Sequence, residues 1–165
     1  MSIKRPRSIE WELRSQADLV DHIVEHYHAG LRRDLQPLID GAARVERDHR
    51  DHPRVPTGLT ELLEAFAYEL ESHMQKEERV LFPMLRTGSR GDQIHMPIYM
   101  MEREHETHDD QLAQIRRLTH DLVSPDDASA VWKHLYAGLA TLEADLRQHI
   151  DLENNVLFVR AAGGE

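Results

Sequence analysis

The sequence has no cysteine, only 5% aromatic residues, and no apolar run that reaches the roughly 20 residues of a membrane helix. Without cysteine the chain forms no disulfide and offers no thiolate ligand, so any bound metal must be held by nitrogen and oxygen. A net charge of -10 argues against a nucleic-acid or anionic-membrane partner. The N-terminal residues lack the apolar segment of a signal peptide, and we expect a cytoplasmic protein.

The apolar residues that are present recur at helical spacing in four segments, and none of them alternates like a β-strand. The segments cover residues 15–50, 59–85, 97–122 and 125–161. Short loops between four helices predict an all-α fold, an up-down-up-down four-helix bundle over residues 15–162, after an N-terminal extension of residues 1–14. We expect Pro37 to kink or end the first half of the first helix, and Ser124 to cap the fourth with Pro125 in its first turn.

Histidine is the residue in excess, with 12 copies, and two of them open a repeated motif. The copies are His73-Met-Gln-Lys-Glu77-Glu-Arg-Val-Leu-Phe and His149-Ile-Asp-Leu-Glu153-Asn-Asn-Val-Leu-Phe. A histidine and a glutamate four residues apart on a helix have β-carbons about 5–6 Å apart, so one metal site can reach both. Two copies indicate a pseudo-symmetric pair of helices that face each other across a site.

Two further histidines, His28 and His105, fall at the same depth of the bundle as the motif, roughly 12–20 Å from one end. All four histidines lie on the apolar stripes of their helices, so we expect one inward-facing layer of imidazoles and carboxylates. Buried charges without partners cost several kcal/mol each, which favours a metal ion in this layer. The predicted metal ligands are His28, His73, Glu77, His105, His149 and Glu153.

Six ligands are too many for one tetrahedral zinc ion, whereas two carboxylates suit bridging between two metal ions. Each metal would then have two imidazole nitrogens and two carboxylate oxygens, with room for an oxo or hydroxo bridge and an exogenous ligand. Iron fits this mixed nitrogen and oxygen set best, with manganese or a mixed pair as alternatives.

Other residues near the layer have open roles in the sequence. His49 lies 21 positions beyond His28, about 31 Å along a straight helix, and is left out of the site. His108 and Asp109 follow His105 by about one turn and either ligate or hydrogen-bond to ligands, with the second role favoured for His108. Glu69 and Glu104 either orient a histidine or line a proton path, although exposed helix charges are the commoner case.

These motifs resemble those of a known family. The chain resembles hemerythrin-like domains, four-helix bundles that hold a non-heme di-iron centre, and most of all the C-terminal domain of the iron–sulfur cluster repair di-iron proteins. The resemblance covers residues 18–162 and implies that the four histidines are terminal ligands and that the two glutamates are bridges. The shared stretches are Asp21-His-Ile-Val24, Tyr27-His28, Ala43-Arg-Val-Glu-Arg47, residues 73–78, residues 80–84, Glu104-His105 and residues 149–158.

The chain also departs in two ways from the proteins that it resembles. Members of the repair branch commonly carry a small N-terminal domain with a cysteine pair, and neither is present here, so a role that uses those thiols is not expected. Oxygen-carrying hemerythrins place His-x-x-x-His on the third helix, where this chain has Asp109, and use a longer His-to-Asp spacing on the last helix. A reversible oxygen carrier is therefore the weaker analogy.

The resemblance implies a cytoplasmic di-iron protein of the nitrosative or oxidative stress response. Such a protein binds or processes nitric oxide or oxygen species and donates iron to damaged iron–sulfur proteins. Two alternatives stay open: a sensor or store for oxygen, nitric oxide or iron without turnover, and a structural bundle closed by zinc or by no metal. Whether the protein is an enzyme is left open. The length of the first helix beyond His28 is compatible with a dimer, but no interface patch follows from the sequence.

Overall fold

The computed structural model describes residue 11 and residues 13–163, and in that part of the chain there is no β-strand. The α-helices are α1 (Gln16–His22), α2 (Ala29–Asp48), α3 (Leu59–Lys76), α4 (Phe82–Arg86), α5 (Asp92–Leu118), α6 (Ala130–Leu152) and α7 (Phe158–Ala161). Three π-helical segments join them into longer rods: π1 (Ile23–His28), π2 (Glu77–Leu81) and π3 (Glu153–Leu157). Four rods result: α1–π1–α2, α3–π2–α4, α5, and α6–π3–α7.

The rods pack as the bundle that the sequence predicts. Helix α2 packs against both α3 and α6, and α3 packs against α5. Short connections join successive rods, as an up-and-down arrangement requires. The all-α prediction is confirmed, whereas most of the predicted N-terminal extension falls outside the described residues. None of the described helices combines the length and the apolar character that crossing a membrane requires.

A polar layer divides the apolar core into two parts. One cluster fills the half of the bundle around α2, α3 and α6, with Leu70 and Leu146 among its buried members. The second cluster lies at the other end, where Leu81 and Leu157 are buried. The repeated His-x-x-x-Glu motif lies between these pairs in sequence, so its polar side chains are sealed from above and below by apolar packing.

Two helix starts differ from the sequence prediction near prolines, and a third proline lies inside a helix. Helix α2 runs on through Pro37, which lies on the exposed face, where water can satisfy the carbonyl that loses its partner. Helix α5 begins at Asp92 rather than at Pro97, which is tolerated inside its second turn. The predicted cap at Ser124 is wrong, since Ser129 caps α6 by accepting from the Trp132 N–H at 3.3 Å. Pro125 instead starts a turn.

The first turn of α3 has an unusual cap that comes from another helix. Gly58 stands before it with a φ of 88°, a left-handed conformation that favours glycine and supplies no capping side chain. The Glu46 carboxylate of α2 takes that role and accepts from the Gly58 N–H at 2.6 Å and the Thr60 N–H at 2.9 Å. This contact joins the end of α2 to the start of α3.

Replacing this cap should destabilise the bundle without touching the polar layer. We expect Glu46→Ala to reduce the free energy of unfolding by about 1–2 kcal/mol, because backbone donors at the start of α3 lose their acceptor. Urea denaturation followed by circular dichroism measures the change. The exposed Glu64 of α3 provides the control, Glu64→Ala, which should change stability by less than about 0.5 kcal/mol. Equal losses in the two variants would contradict the cap.

Candidate metal centre

The six predicted ligand residues come together in one buried cluster. Glu77 and Glu153 are fully buried at 0% exposure, and each of the four histidines is exposed by 2% or less. His28 ends π1, and the two glutamates begin π2 and π3. Each π segment fits an extra residue into its turn and so changes the direction of the side chains that follow, a feature that is frequent at functional sites.

The Nε2 atoms of the histidines point at the two carboxylates. On Glu77, Oε2 lies 3.2 Å from His28 Nε2, and Oε1 lies 3.2 Å from His73 Nε2. On Glu153, Oε2 lies 3.0 Å from His105 Nε2, and Oε1 lies 2.8 Å from His149 Nε2. Two ligands bonded to one metal at about 2.0–2.2 Å are separated by about 3 Å, so these distances suit shared coordination.

The potential ligand atoms form two groups of four. The first group is His28, Glu77, His149 and Glu153, and the second is His73, Glu77, His105 and Glu153. Within each group the atoms lie within 4.8 Å of one another. Both groups share the two carboxylates, which is the arrangement of two neighbouring metal positions joined by bridges.

Several buried polar atoms in the cluster have no hydrogen-bond partner among the described residues. They include both carboxylate oxygens of Glu77, Oε2 of Glu153 and Nε2 of His28. Unpaired buried polar atoms are rare because each carries a desolvation cost. Cations between these oxygen and nitrogen atoms would satisfy them, and the residues present therefore fit a metal centre.

The outer nitrogen, Nδ1, of three histidines is held by a neighbouring side chain. His28 pairs with Glu78 Oε1 at 2.7 Å, and His73 pairs with Glu104 Oε2 at 2.8 Å. His105 pairs with the amide oxygen of Asn154, also at 2.8 Å. An acceptor at Nδ1 fixes a proton there, so Nε2, which faces the carboxylates, is the nitrogen that a metal ion can bind.

Two of these acceptors are themselves held by cations. The Arg32 guanidinium donates to Glu78 Oε1 at 2.8 Å and also bonds Glu71, and Lys76 contacts Glu104. The hydrogen bond from His73 is the largest of the effects that lower the pKa of Glu104 to about 2. For Glu78, burial would raise the pKa, but the bond from Arg32 and the contact with His28 bring it below its usual value. Both acceptors therefore stay ionised.

Burial and charge act in opposite directions inside the cluster. Burial alone would lower the pKa of His73, but the Glu77 and Glu104 carboxylates beside it raise that pKa to about 10. Burial also would raise the pKa of Glu153, whereas the neighbouring His149 and His105 hold it well below its usual value. The carboxylates are thus kept in the anionic form that ligates metal.

The apolar triplet of the repeated motif has a packing role. Phe82, at the end of the first copy, stacks on His28 with ring centroids 5.7 Å apart. Phe158, at the end of the second copy, stacks on His105 at 6.1 Å. Each motif therefore supplies a histidine and a carboxylate to the cluster and an aromatic ring that fixes a histidine of another rod.

The structure also places the residues whose roles the sequence left open. His108 is buried but belongs to neither group of ligand atoms, and its Nδ1 lies 3.4 Å from Gln111 Oε1. Burial, with the nearby His73, lowers the pKa of His108 to about 4. Asp109 points outward and pairs with Arg147 at 3.1 Å. Glu69 accepts from Gln111 Nε2 at 2.8 Å, and the described residues give it no bond to a histidine of the cluster.

The structure also shows the surroundings of His49 and Glu104. His49 lies at the far end of the bundle, where its Nε2 is 3.0 Å from Ser129 Oγ and its ring packs on Trp132. Glu104 is not merely an exposed helix charge, because it orients His73 from across the helix interface.

The sequence reasoning did not single out Glu78 and Asn154. Each directly follows a shared glutamate, Glu77 or Glu153, and each reaches a histidine on another rod. Their common position in the two motif copies was the signal that could have found them. Spacing along one helix does not show which side chain of a neighbouring helix it meets.

Comparison with known proteins agrees with this geometry. Residues 19–161 match the family described as the Hemerythrin HHE cation binding domain. The chain belongs to the hemerythrin HHE family. The resemblance inferred from the motifs is confirmed, and together with the buried histidine and glutamate groups it makes this hemerythrin HHE domain a metal-binding domain.

Curated relatives of this hemerythrin HHE domain include the iron–sulfur cluster repair protein YtfE of Salmonella paratyphi B, Salmonella newport and Salmonella heidelberg. Each is 44% identical over 162 residues, which cover 98% of this chain and 73% of the relative. The similarity to the repair branch that the motifs indicate is therefore also found across nearly the whole chain.

Proposed function

We propose that the chain holds two iron ions in this cluster. His28 and His149 would bind the first ion, His73 and His105 the second, and the two shared glutamates would bridge them. One observation carries this assignment: the two ligand groups have Glu77 and Glu153 in common, and both carboxylates are fully buried. Imidazole and carboxylate ligands without thiolate suit iron.

The side chains around the ligands prepare the site for metal. Glu78, Glu104 and Asn154 hold three Nδ1 protons, so that the Nε2 atoms already face the proposed metal positions. The apolar clusters on either side cover the layer along the bundle axis. Bound iron would supply electron transfer and the binding of a diatomic ligand such as nitric oxide or oxygen.

The function we propose is protection or repair of iron–sulfur clusters under nitrosative or oxidative stress. The 44% identity to iron–sulfur cluster repair proteins over 98% of the chain supports this role. The chain has no cysteine, so it would act through its iron rather than through thiols of its own. Donation of iron to a damaged iron–sulfur protein is the step that we propose for it.

A second candidate is a sensor or store that binds iron and a diatomic ligand without passing iron on. The burial of all six ligand side chains to 2% exposure or less favours this candidate, since metal would have to leave through packed protein. A repair protein should transfer iron to an acceptor protein, whereas a sensor or store should not, so an iron-transfer experiment distinguishes the two functions.

Iron transfer is expected when the iron-loaded chain is mixed under anaerobic conditions with a cluster-free iron–sulfur protein, sulfide and a reductant. The acceptor should regain its cluster absorption at a rate that depends on the concentration of the chain. The chain carrying Glu153→Gln, treated with the same iron and freed of unbound metal, is the matched control and should support little transfer. Full iron loading with nitrosyl formation but no transfer would contradict repair and favour the sensor or store.

A further inference from the structure

The metal centre has an approximate two-fold symmetry that relates the first rod to the third and the second rod to the fourth. His73, Glu77 and Glu78 of the second rod correspond to a His-x-x-x-Glu-Asn sequence in the fourth. The residue after each shared glutamate performs the same task, because Glu78 holds a histidine of the first rod and Asn154 holds one of the third. The same relation holds for two phenylalanines. Phe82 of the second rod stacks on His28 of the first, and Phe158 of the fourth rod stacks on His105 of the third.

The symmetry fails at the residue that precedes the histidine on the first and third rods. On the third rod, Glu104 precedes His105 and accepts from Nδ1 of His73. On the first rod, Tyr27 precedes His28 and stands against the corresponding histidine, His149. Tyr27 stacks on the His149 ring with centroids 5.2 Å apart and an angle of 10° between the planes, and its hydroxyl lies 3.4 Å from Gln148 instead.

His149 therefore differs from the other three histidines. Its Nδ1 is buried and has no hydrogen-bond partner among the described residues. A groove of about 430 Å³ between α2 and α6 reaches His149, with Gly30, Leu31 and Leu142 among its lining residues. Polar side chains such as Asp34, Thr141 and Asp145 also line this groove, but none of the described ones bonds to His149 Nδ1. The electrostatic support that a histidine ligand gains from such a partner is therefore absent.

The two metal positions are consequently unequal. In the position of His73 and His105, both imidazoles have an acceptor at Nδ1. In the position of His28 and His149, only His28 has one. Loss of such a partner typically reduces metal affinity by about 10- to 100-fold.

We infer that Tyr27 is a positioning residue that makes the His28–His149 position the weaker of the two metal positions, because it leaves His149 without an internal acceptor. This inference rests on the proposed set of ligands. It assigns the difference between the two positions to one side chain that neither ligates nor hydrogen-bonds to a ligand.

Titration of the metal-free chain with Co²⁺ tests the inference through affinities and ligand-field absorption rather than through activity. Two cations repel each other, so two unequal binding steps in the unaltered chain would not decide the matter. The variant Tyr27→Glu places a carboxylate where Glu104 stands in the other half, and it should tighten the weaker step by about 10-fold or more. The spectrum of the tighter step should stay unchanged, while that of the weaker step shifts.

Two further variants act as controls on the same titration. Tyr27→Phe keeps the stacked ring and should leave both steps unchanged. Asn154→Leu removes the acceptor of His105 and should weaken the tighter step. The difference between the two affinities then becomes smaller because the tighter one falls. If Tyr27→Glu does not fold by circular dichroism, the Asn154→Leu result still decides whether Nδ1 acceptors set the two affinities.

The outcomes separate this inference from the proposed function. Two bound ions with a weaker step that Tyr27→Glu leaves unaltered, or a tighter step that Asn154→Leu leaves unaltered, would overturn the inference alone. Fewer than two bound ions, or two ions that persist after the shared glutamates are replaced, would overturn the proposed ligands themselves.

Discussion

Replacing one shared carboxylate, by Glu77→Gln or Glu153→Gln, is expected to reduce the metal content of the purified chain from about two ions to fewer than about one. Each glutamate contributes to both groups of ligand atoms, so its loss removes a ligand from both metal positions at once. Glutamine keeps the volume of the side chain but has no second anionic oxygen with which to bridge. Elemental analysis of protein purified without oxygen measures the effect.

The exposed Glu64 of α3 provides the control, since Glu64→Gln removes one negative charge from the rod of Glu77, outside the cluster. This control should retain the full metal content. Circular dichroism of all variants shows whether the bundle is intact. Two ions per chain in both bridge variants would contradict the bridging assignment.

The second large effect is expected from the side chains that hold the Nδ1 protons. Glu78→Ala should weaken metal binding at His28, and Asn154→Ala should weaken it at His105, each by about 10- to 100-fold. Neither residue provides a ligand atom to the two groups, so a loss of affinity would come through the histidine that each one orients. Competition with a chromophoric chelator measures both affinities.

The charge of Glu78 must be separated from its position. Glu106 on α5 is exposed and pairs only with Arg103 among the described residues. The variant Glu106→Ala therefore removes one negative charge from the bundle without changing a contact of the cluster. That variant should keep its affinity. An equal loss in Glu78→Ala and Glu106→Ala would mean that overall charge, rather than the orientation of His28, controls binding.

The sequence predicts the bundle and the six clustered residues because each depends on spacing within a single helix. Apolar residues at helical intervals show which face is buried, and the His73 and His149 motifs lie on those faces. The depth of each histidine follows from counting residues along its rod. The placement of all six in one layer could therefore be anticipated without a structure.

The sequence does not predict how neighbouring rods are rotated against each other. Glu78, Asn154 and Tyr27 gain their roles only from the histidine they meet on another rod, and the extra residue in each π segment changes that rotation locally. The start of α6 also differs from the sequence prediction. Ser124 and Ser129 both suit a helix cap, and the structure has the second, with the buried Trp132 in the first turn.

The central claim is that two iron ions lie between the four histidines and share Glu77 and Glu153. Anomalous diffraction at the iron absorption edge, from crystals of protein purified without oxygen, tests it most directly. We predict two peaks about 3–4 Å apart, one beside His28 and His149 and the other beside His73 and His105. A single peak, a peak at the zinc edge only, or iron away from the two glutamates would contradict the account.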